Sequence, residues 1–159
     1  QLHFLDGAHL HLAGIEQRYS FDGRSEIPQQ WERFVLAAAS LAKDSPGSYY
    51  GVCRSSRADQ GFDYLTAIEV HPSELLPEEF ITVEIEPSRY AVFTHAGHVS
   101  TIPDSIDLIW RRWAPSCGLT IADRTSFERY TAEFNAESGM DGVELWIPLQ
   151  NEPAVGNAY

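Results

Sequence analysis

The residues best suited to chemistry lie in the strand-like segment from Gly142 to Leu149. Apolar residues occupy positions 143, 145, 147 and 149, so they face one packed surface, while Glu144 and Trp146 face the other. A carboxylate beside a large aromatic ring suits an organic cation, because the ring adds a cation–π attraction of about 0.5–2 kcal/mol. The same alternation is typical of a solvated glutamate on the open face of a half-exposed sheet. The spacing alone leaves both interpretations open.

A second glutamate occupies a comparable place earlier in the chain. Glu69 lies in the strand-like segment from Phe62 to Val70, on the same face as Leu65 and Ala67. It is a candidate for the same ligand, and a surface carboxylate is the usual alternative. Five aromatic residues could also line a ligand pocket, although core packing is the default for each of them. They are Phe21, Tyr50, Tyr90, Phe93 and Trp110.

Other kinds of chemistry find no support in the sequence. Two pairs of histidines, at positions 9 and 11 and at positions 95 and 98, lack a third ligand at a recognised spacing, so we predict no metal site. Cys53 and Cys117 allow one disulfide at most, and two free thiols are the simpler interpretation. The chain contains no P-loop, no Gly-x-Ser-x-Gly elbow and no dinucleotide-binding glycine motif. We therefore assign no cofactor and no catalytic residue.

The charge balance narrows the choice of partner. The chain has 159 residues, of which 23 are acidic and 11 are basic, giving a formal net charge of −12. Without a run of arginine or lysine, we expect neither direct nucleic-acid binding nor attachment to an anionic membrane. Apolar stretches fall far short of the roughly 20 residues that span a bilayer, and the N-terminus lacks a signal-peptide pattern. The prediction is a cytoplasmic protein whose negative field suits a cationic partner.

Two similar runs of predicted secondary structure position the candidate residues. Ile-Pro dipeptides at positions 27–28 and 102–103 each predict the start of a helix, with proline in the first turn. Strand-like segments lie on both sides of each helix. The two dipeptides are 75 positions apart, and so are the similar segments at 68–70 and 143–145. This recurrence predicts two strand–helix–strand–strand units, residues 10–75 and 80–149.

Antiparallel strands with one helix per unit predict an α+β fold. We expect a single domain over residues 1–150, followed by a loop-like tail at residues 151–159. The apolar face of the second helix is expected to contain Ile106, Ile109, Trp110 and Trp113.

Several segments, in this order, resemble a known family. They are Tyr90-Ala-Val-Phe-Thr-His-Ala-Gly97, Ile102-Pro103, Ile109-Trp-Arg-Arg-Trp-Ala-Pro115, Phe127-Glu-Arg-Tyr130 and Val143-Glu-Leu-Trp-Ile-Pro-Leu149. The chain resembles the GyrI-like small-molecule-binding family, which also forms the effector-binding domain of AraC-type and MerR-type multidrug regulators. The resemblance covers roughly residues 10–149 and implies a pseudo-twofold pair of units around a ligand cleft. It also implies that Glu144 binds the ligand and that Trp110, where relatives often have tyrosine, reaches the cleft.

The resemblance predicts a stand-alone protein that binds or sequesters a lipophilic, cationic aromatic compound. In this hypothesis Trp110 and Trp146 form the walls of the cleft and Glu144 supplies the charge. The chain has no room outside the domain for the helix-turn-helix segment of the regulators. One alternative is a hydrolase of reactive cyclopropane-bearing compounds, in which Glu144 holds a water and a nearby tyrosine assists. The other is a gyrase-inhibitor-like modulator of a protein partner, whose negative charge mimics DNA.

Overall fold

The computed structural model describes residues 2–39, 41, 48–57, 61–122, 124–135 and 137–150, and the tail at 151–159 lies outside them. The strands are β1 (Leu2–Gly7), β2 (Leu10–Tyr19), β3 (Tyr49–Arg57), β4 (Gly61–Glu69), β5 (Ile81–Ile85), β6 (Ser88–Thr94), β7 (Phe127–Tyr130) and β8 (Val143–Leu149). The helices are α1 (Ile27–Ala38), α2 (Ile102–Leu108) and α3 (Ala114–Ser116). Short 3-10 turns lie at Phe21–Glu26 and Val99–Thr101, and a π-helical turn lies at Ile109–Trp113. The predicted α+β class is correct.

The described strands form one antiparallel sheet in the order β1-β6-β8-β7-β3-β4-β2-β5. One unit comprises β1 to β4 with α1, and the other comprises β5 to β8 with α2. Inward from one edge, β1 of the first unit is followed by β6, β8 and β7 of the second. Inward from the other edge, β5 of the second unit is followed by β2, β4 and β3 of the first. The units are therefore related by a pseudo-twofold axis, with their edge strands exchanged. Strand β1 was not predicted, because its hydrophobic residues Leu2, Phe4 and Leu5 are divided between its two faces and none of its residues is buried.

The register of the sheet corrects the expected equivalence of two glutamates. Arg54 lies opposite Asp63 in the first unit, and Arg129 lies opposite Glu144 in the second. Since the two arginines are 75 positions apart, Asp63 takes the place that corresponds to Glu144. Glu69 instead lies at the far end of β4, so the constant offset read from the sequence fails in the last strand of each unit.

The sheet is curled, so its two faces differ. The inner face is closed by an apolar core in which Ile85, from edge strand β5, and Tyr90, from β6, belong to one cluster. The other face, here called the helix face, is covered by α1 and α2. The alternation predicted for β8 is correct: Leu145 packs on the helix face, whereas Trp146 packs on the inner face. Each strand therefore contributes residues to two separate environments.

The second helix does not present the apolar face that the sequence predicts. The π-helical turn begins at Ile109, which is 5% exposed, whereas the adjacent Trp110 is 44% exposed. Ile109 and Trp113 are four residues apart and share the face toward the sheet, so Trp110 points away from it. The expectation that Trp110 packs on the apolar face is therefore wrong. No helix in the part of the chain that the structure describes is long and apolar enough to cross a membrane.

Candidate functional site

Glu144 lies on the inner face near the start of β8, where it already has a cationic partner. Its Oε1 accepts a hydrogen bond from Nη1 of Arg129 at 3.0 Å and another from Nε1 of Trp146 at 3.0 Å. The side chains of Glu144 and Arg129 are 22% and 32% exposed, so the ion pair is only partly hydrated. The sequence analysis placed Glu144 and Trp146 together correctly but did not foresee the arginine.

Tyr50 extends this pairing into what we call the inner-face network, made of Tyr50, Arg129, Glu144 and Trp146. Burial raises the pKa of Tyr50, and Arg129 partly opposes that rise. Burial alone would lower the pKa of Arg129, but the interactions with Glu144 and Tyr50 raise it above its ordinary value. Arg129 and Glu144 also line a cavity of about 370 Å³ at this end of the sheet. The charges of the network are therefore satisfied within the protein.

The other predicted ligand residues are divided between the two faces. Tyr90 is buried on the inner face, with its ring centroid 5.1 Å from that of Trp146. Phe93 lies on the helix face, 4.9 Å from the ring of Trp113. Glu69 is exposed at the end of β4, on the inner face opposite Leu12. The side chain of Phe21 lies outside the described part of the chain. The structure thus brings Tyr50, Tyr90, Trp146 and Glu144 onto one face and separates Phe93 and Trp110 from them.

A different carboxylate, which the sequence analysis missed, lies on the helix face of β7. Oε1 of Glu128 accepts hydrogen bonds from the hydroxyls of Tyr64 and Tyr130, both at 2.8 Å. Glu128 retains some exposed surface, yet desolvation by the surrounding protein raises its pKa, and the two tyrosines and His95 only partly oppose that rise. The carboxylate thus lies where its charged form is disfavoured.

Aromatic side chains surround this carboxylate. The ring of Trp31, from α1, lies 5.0 Å from the ring of Tyr130 and 6.3 Å from that of Tyr64. A side chain at Gly51 would place its Cβ 2.7 Å from Oε1 of Glu128, so the glycine leaves the space that the carboxylate occupies. We call Trp31, Tyr64, Glu128 and Tyr130 the Glu128 cluster. It lies at the seam between the two units, because each unit contributes two of its members.

Glu128 differs from Glu144 in its charge environment. Among the described residues, Glu128 forms no ion pair with an arginine or lysine. Burial and Glu128 itself hold the pKa of both Tyr64 and Tyr130 well above the ordinary value, so the phenols stay protonated and donate their hydrogen bonds. When Glu128 is ionised, the cluster carries one negative charge, and no arginine or lysine of the described residues pairs with it.

A cavity of about 360 Å³ adjoins this region on the helix face, between the second helix and the sheet. Leu145 lines the cavity and lies opposite both Glu128 and Phe93 in the strand register, and His95 also lines it. Its lining residues are Phe93, Thr94, His95, Ser105, Leu108, Ile109, Arg112, Trp113, Ser116 and Leu145. We call it the helix-face cavity.

Metal and thiol chemistry have little basis in this arrangement. Within the described ranges, no group of three or more histidine, cysteine or acidic side chains is arranged to hold a metal ion. Cys53 and Cys117 are both free thiols, and neither belongs to the Glu128 cluster or lines the two cavities.

Two sheet-sharing units, with an acidic and aromatic surface at their seam, define a small-molecule-binding domain of the α+β class. The GyrI-like small molecule binding domain matches residues 1–150, and the chain belongs to that family. The transcriptional regulator BrlR of Pseudomonas aeruginosa is 30% identical over 140 residues, which are 87% of this chain and 51% of BrlR. The chain therefore spans about half the length of this curated relative.

Solved structures with the same fold cover nearly the whole chain. SAV2435, solved in complex with tetraphenylphosphonium, is 20% identical with a TM-score of 0.71, and the match covers 95% of this chain and 94% of SAV2435. The C-terminal domain of EcmrR is 12% identical with a TM-score of 0.68, covering 95% of this chain and 98% of that domain. At these identities the similarity establishes the fold.

Proposed function

We propose that this domain binds lipophilic organic cations at the Glu128 cluster. The observation that supports this proposal is the largely desolvated Glu128 carboxylate, which faces three aromatic side chains and pairs with no arginine or lysine among the described residues. A cation that approaches Glu128 would compensate the hydration that the carboxylate has lost. The rings of Trp31, Tyr64 and Tyr130 offer apolar surface and cation–π attraction to the same ligand.

Glu144 is a weaker candidate for the same role, because Arg129 already occupies its carboxylate. An incoming cation would have to displace the arginine and leave a half-buried guanidinium without its partner, which typically costs several kcal/mol. At Glu128 a cation displaces no basic side chain of the described chain. The sequence-based hypothesis that Glu144 supplies the charge is tested in the same experiment.

The comparisons support this class of ligand. A protein of the same fold binds tetraphenylphosphonium, a lipophilic aromatic cation, and the similarity to BrlR relates the domain to a transcriptional regulator. The proposed ligand contacts all come from residues within the domain. We propose that the domain binds the cation as a stand-alone binding protein would.

Fluorescence titration tests the proposal, using tetraphenylphosphonium as the cation and triphenylphosphine oxide as a neutral aromatic control. Glu128→Gln removes the charge and keeps the acceptor Oε1. It should weaken tetraphenylphosphonium binding by about 30-fold or more and leave the neutral compound little changed, since losing one partner of a desolvated charge pair costs about 2–5 kcal/mol. Glu144→Gln is the matched control and should leave cation binding within about threefold.

The outcomes separate the candidate carboxylates. A large loss in Glu144→Gln with none in Glu128→Gln would assign the charge to Glu144 instead. Equal losses for the cation and the neutral compound would mean that Glu128→Gln had only damaged the pocket. If the wild-type protein binds neither compound, the proposal is wrong.

A hydrolase is the second candidate, and the Glu128 cluster is again the observation that favours it. A carboxyl group whose pKa is raised by burial, next to two phenolic hydroxyls, is suited to hold a water and exchange its proton. Turnover of an electrophilic cyclopropane-bearing compound, lost in both Glu128→Gln and Tyr130→Phe, would support hydrolysis. Stoichiometric binding with no product formed would contradict hydrolysis and support binding as the only function.

A further inference from the structure

The charged lining of the helix-face cavity differs from the composition of the chain as a whole. The protein carries 23 acidic residues against 11 basic ones, yet no aspartate or glutamate is among the residues that line this cavity. Its polar lining consists of hydroxyl groups, the imidazole of His95 and the guanidinium of Arg112. The lining thus supplies one guanidinium and no carboxylate, a combination that suits a ligand carrying a negative charge.

Arg112 differs from the neighbouring arginine in the same helical turn. Arg111 pairs with Asp107, with Nε and Oδ1 3.0 Å apart, and it does not line the cavity. In the described part of the structure, the guanidinium of Arg112 forms no ion pair with a carboxylate and no hydrogen bond. A guanidinium with five N–H donors and no protein acceptor is suited to bind a carboxylate in a bidentate manner.

The remaining walls of the cavity suit an apolar body. Phe93 and Trp113 meet edge to face with ring centroids 4.9 Å apart, and Leu145 closes the wall on the side of Glu128. Leu108 also lines the cavity and is 54% exposed, so apolar surface continues to the protein exterior. A volume of about 360 Å³ is sufficient for a small aromatic molecule.

We propose that the helix-face cavity binds a small aromatic carboxylate, with the ring against Phe93 and Trp113 and the carboxylate on Arg112. The proposal goes beyond cation binding at the Glu128 cluster, since it concerns a ligand of opposite charge and none of the cluster residues. Arg112 is the residue that sets the charge preference of this second site. Leu145 lines the cavity and lies opposite Glu128 in the strand register, so the two sites are neighbours on the helix face.

Calorimetric titration with 2-naphthoate and its neutral isostere 2-naphthamide tests the proposal. Arg112→Gln should weaken 2-naphthoate by about tenfold and leave 2-naphthamide unchanged, because Arg112 is exposed and an exposed guanidinium contributes less than a buried one. Arg111→Gln removes an equal charge from the adjacent position and should change neither affinity. Higher salt should weaken 2-naphthoate binding to the wild-type protein but not to Arg112→Gln.

Three results would each overturn this inference. They are equal affinities of the wild-type protein for the two compounds, equal losses in Arg111→Gln and Arg112→Gln, and no binding of 2-naphthoate at millimolar concentration. Trp113→Phe provides an independent readout of location, because it removes the tryptophan in the proposed contact, so quenching of the protein fluorescence by bound 2-naphthoate should decrease although three tryptophans remain. Glu128→Gln should retain 2-naphthoate binding, so failure of the cation proposal leaves this test unaffected.

Discussion

Replacing Glu128 with glutamine is expected to stabilise the folded protein at neutral pH even as it removes affinity for cations. The substitution keeps Oε1, which accepts both tyrosine hydrogen bonds, and removes only the charge. Because burial raises the pKa of Glu128, the folded protein binds this proton more tightly than the unfolded chain does, and the ionised carboxylate costs folding free energy at neutral pH. Removing such a charge should stabilise the fold by about 1 kcal/mol, or roughly 2–4 °C in Tm.

Ligand binding should reverse the order of the melting temperatures of the wild-type protein and Glu128→Gln. Tetraphenylphosphonium at 100 times its Kd stabilises the protein that binds it by about 2.7 kcal/mol and does not stabilise a variant that no longer binds it. The wild-type protein should then melt above Glu128→Gln, although it melts below it without ligand. Glu144→Gln serves as the control, because it leaves Arg129 without its partner and should lower the Tm while retaining the shift with ligand.

The pH dependence of melting provides the test of the physical reasoning. As the pH falls through the raised pKa of Glu128, the wild-type carboxyl takes up its proton and the difference in Tm between the two proteins should close. Thermal denaturation followed by circular dichroism at several pH values would measure this. If Glu128→Gln melts below the wild-type protein at neutral pH, or if the gap does not change with pH, the carboxylate supports the fold and the reasoning is refuted.

Three further predictions concern the packing around Glu128, the exposure of Trp110 and the binding of DNA. Gly51→Ala should displace the hydroxyl of Tyr64 and the carboxylate of Glu128, lowering stability by about 1–3 kcal/mol and weakening tetraphenylphosphonium binding, as melting and titration would show. Trp110→Ala should change stability by less than about 0.5 kcal/mol and leave cation affinity intact. Trp31→Ala should reduce both the stability and the cation affinity. Equal effects of the two substitutions would contradict the placement of the two rings. The isolated chain should not shift duplex DNA in a gel at physiological salt, and a sequence-specific shift would contradict this.

The features that the sequence predicts well depend on local patterns. Proline in the first turn of each helix and strict alternation along β8 determine where these elements begin and which face they bury, and the structure agrees. The α+β class follows from the order of such elements, and the family follows from the resemblance of the quoted segments. Local patterns also explain why Glu144 and Trp146 were placed together, because residues two apart on a strand always share a face.

The features that the sequence does not reveal depend on pairing between distant strands. Glu128 lies on a strand of only four residues, which is too short to show which face is buried, and its partner Tyr64 is 64 positions away. Arg129 approaches Glu144 only because β7 and β8 pair in one particular register. Trp110 was misplaced because helical periodicity does not anticipate the π-helical turn that begins at Ile109.

The exchange of edge strands has a consequence for how the chain folds. β1 belongs to the first unit but pairs with β6 of the second, and β5 pairs with β2 of the first. In the first half synthesised alone, β2 would lack its partner β5, and in the second half alone, β6 would lack its partner β1. Each of these strands would then expose an unpaired backbone edge. The two halves are therefore not independent folding units, and fragments cut between β4 and β5 should fold only when mixed, as a noncovalent heterodimer. A chain that looks like two tandem modules is thus expected to unfold in a single cooperative transition.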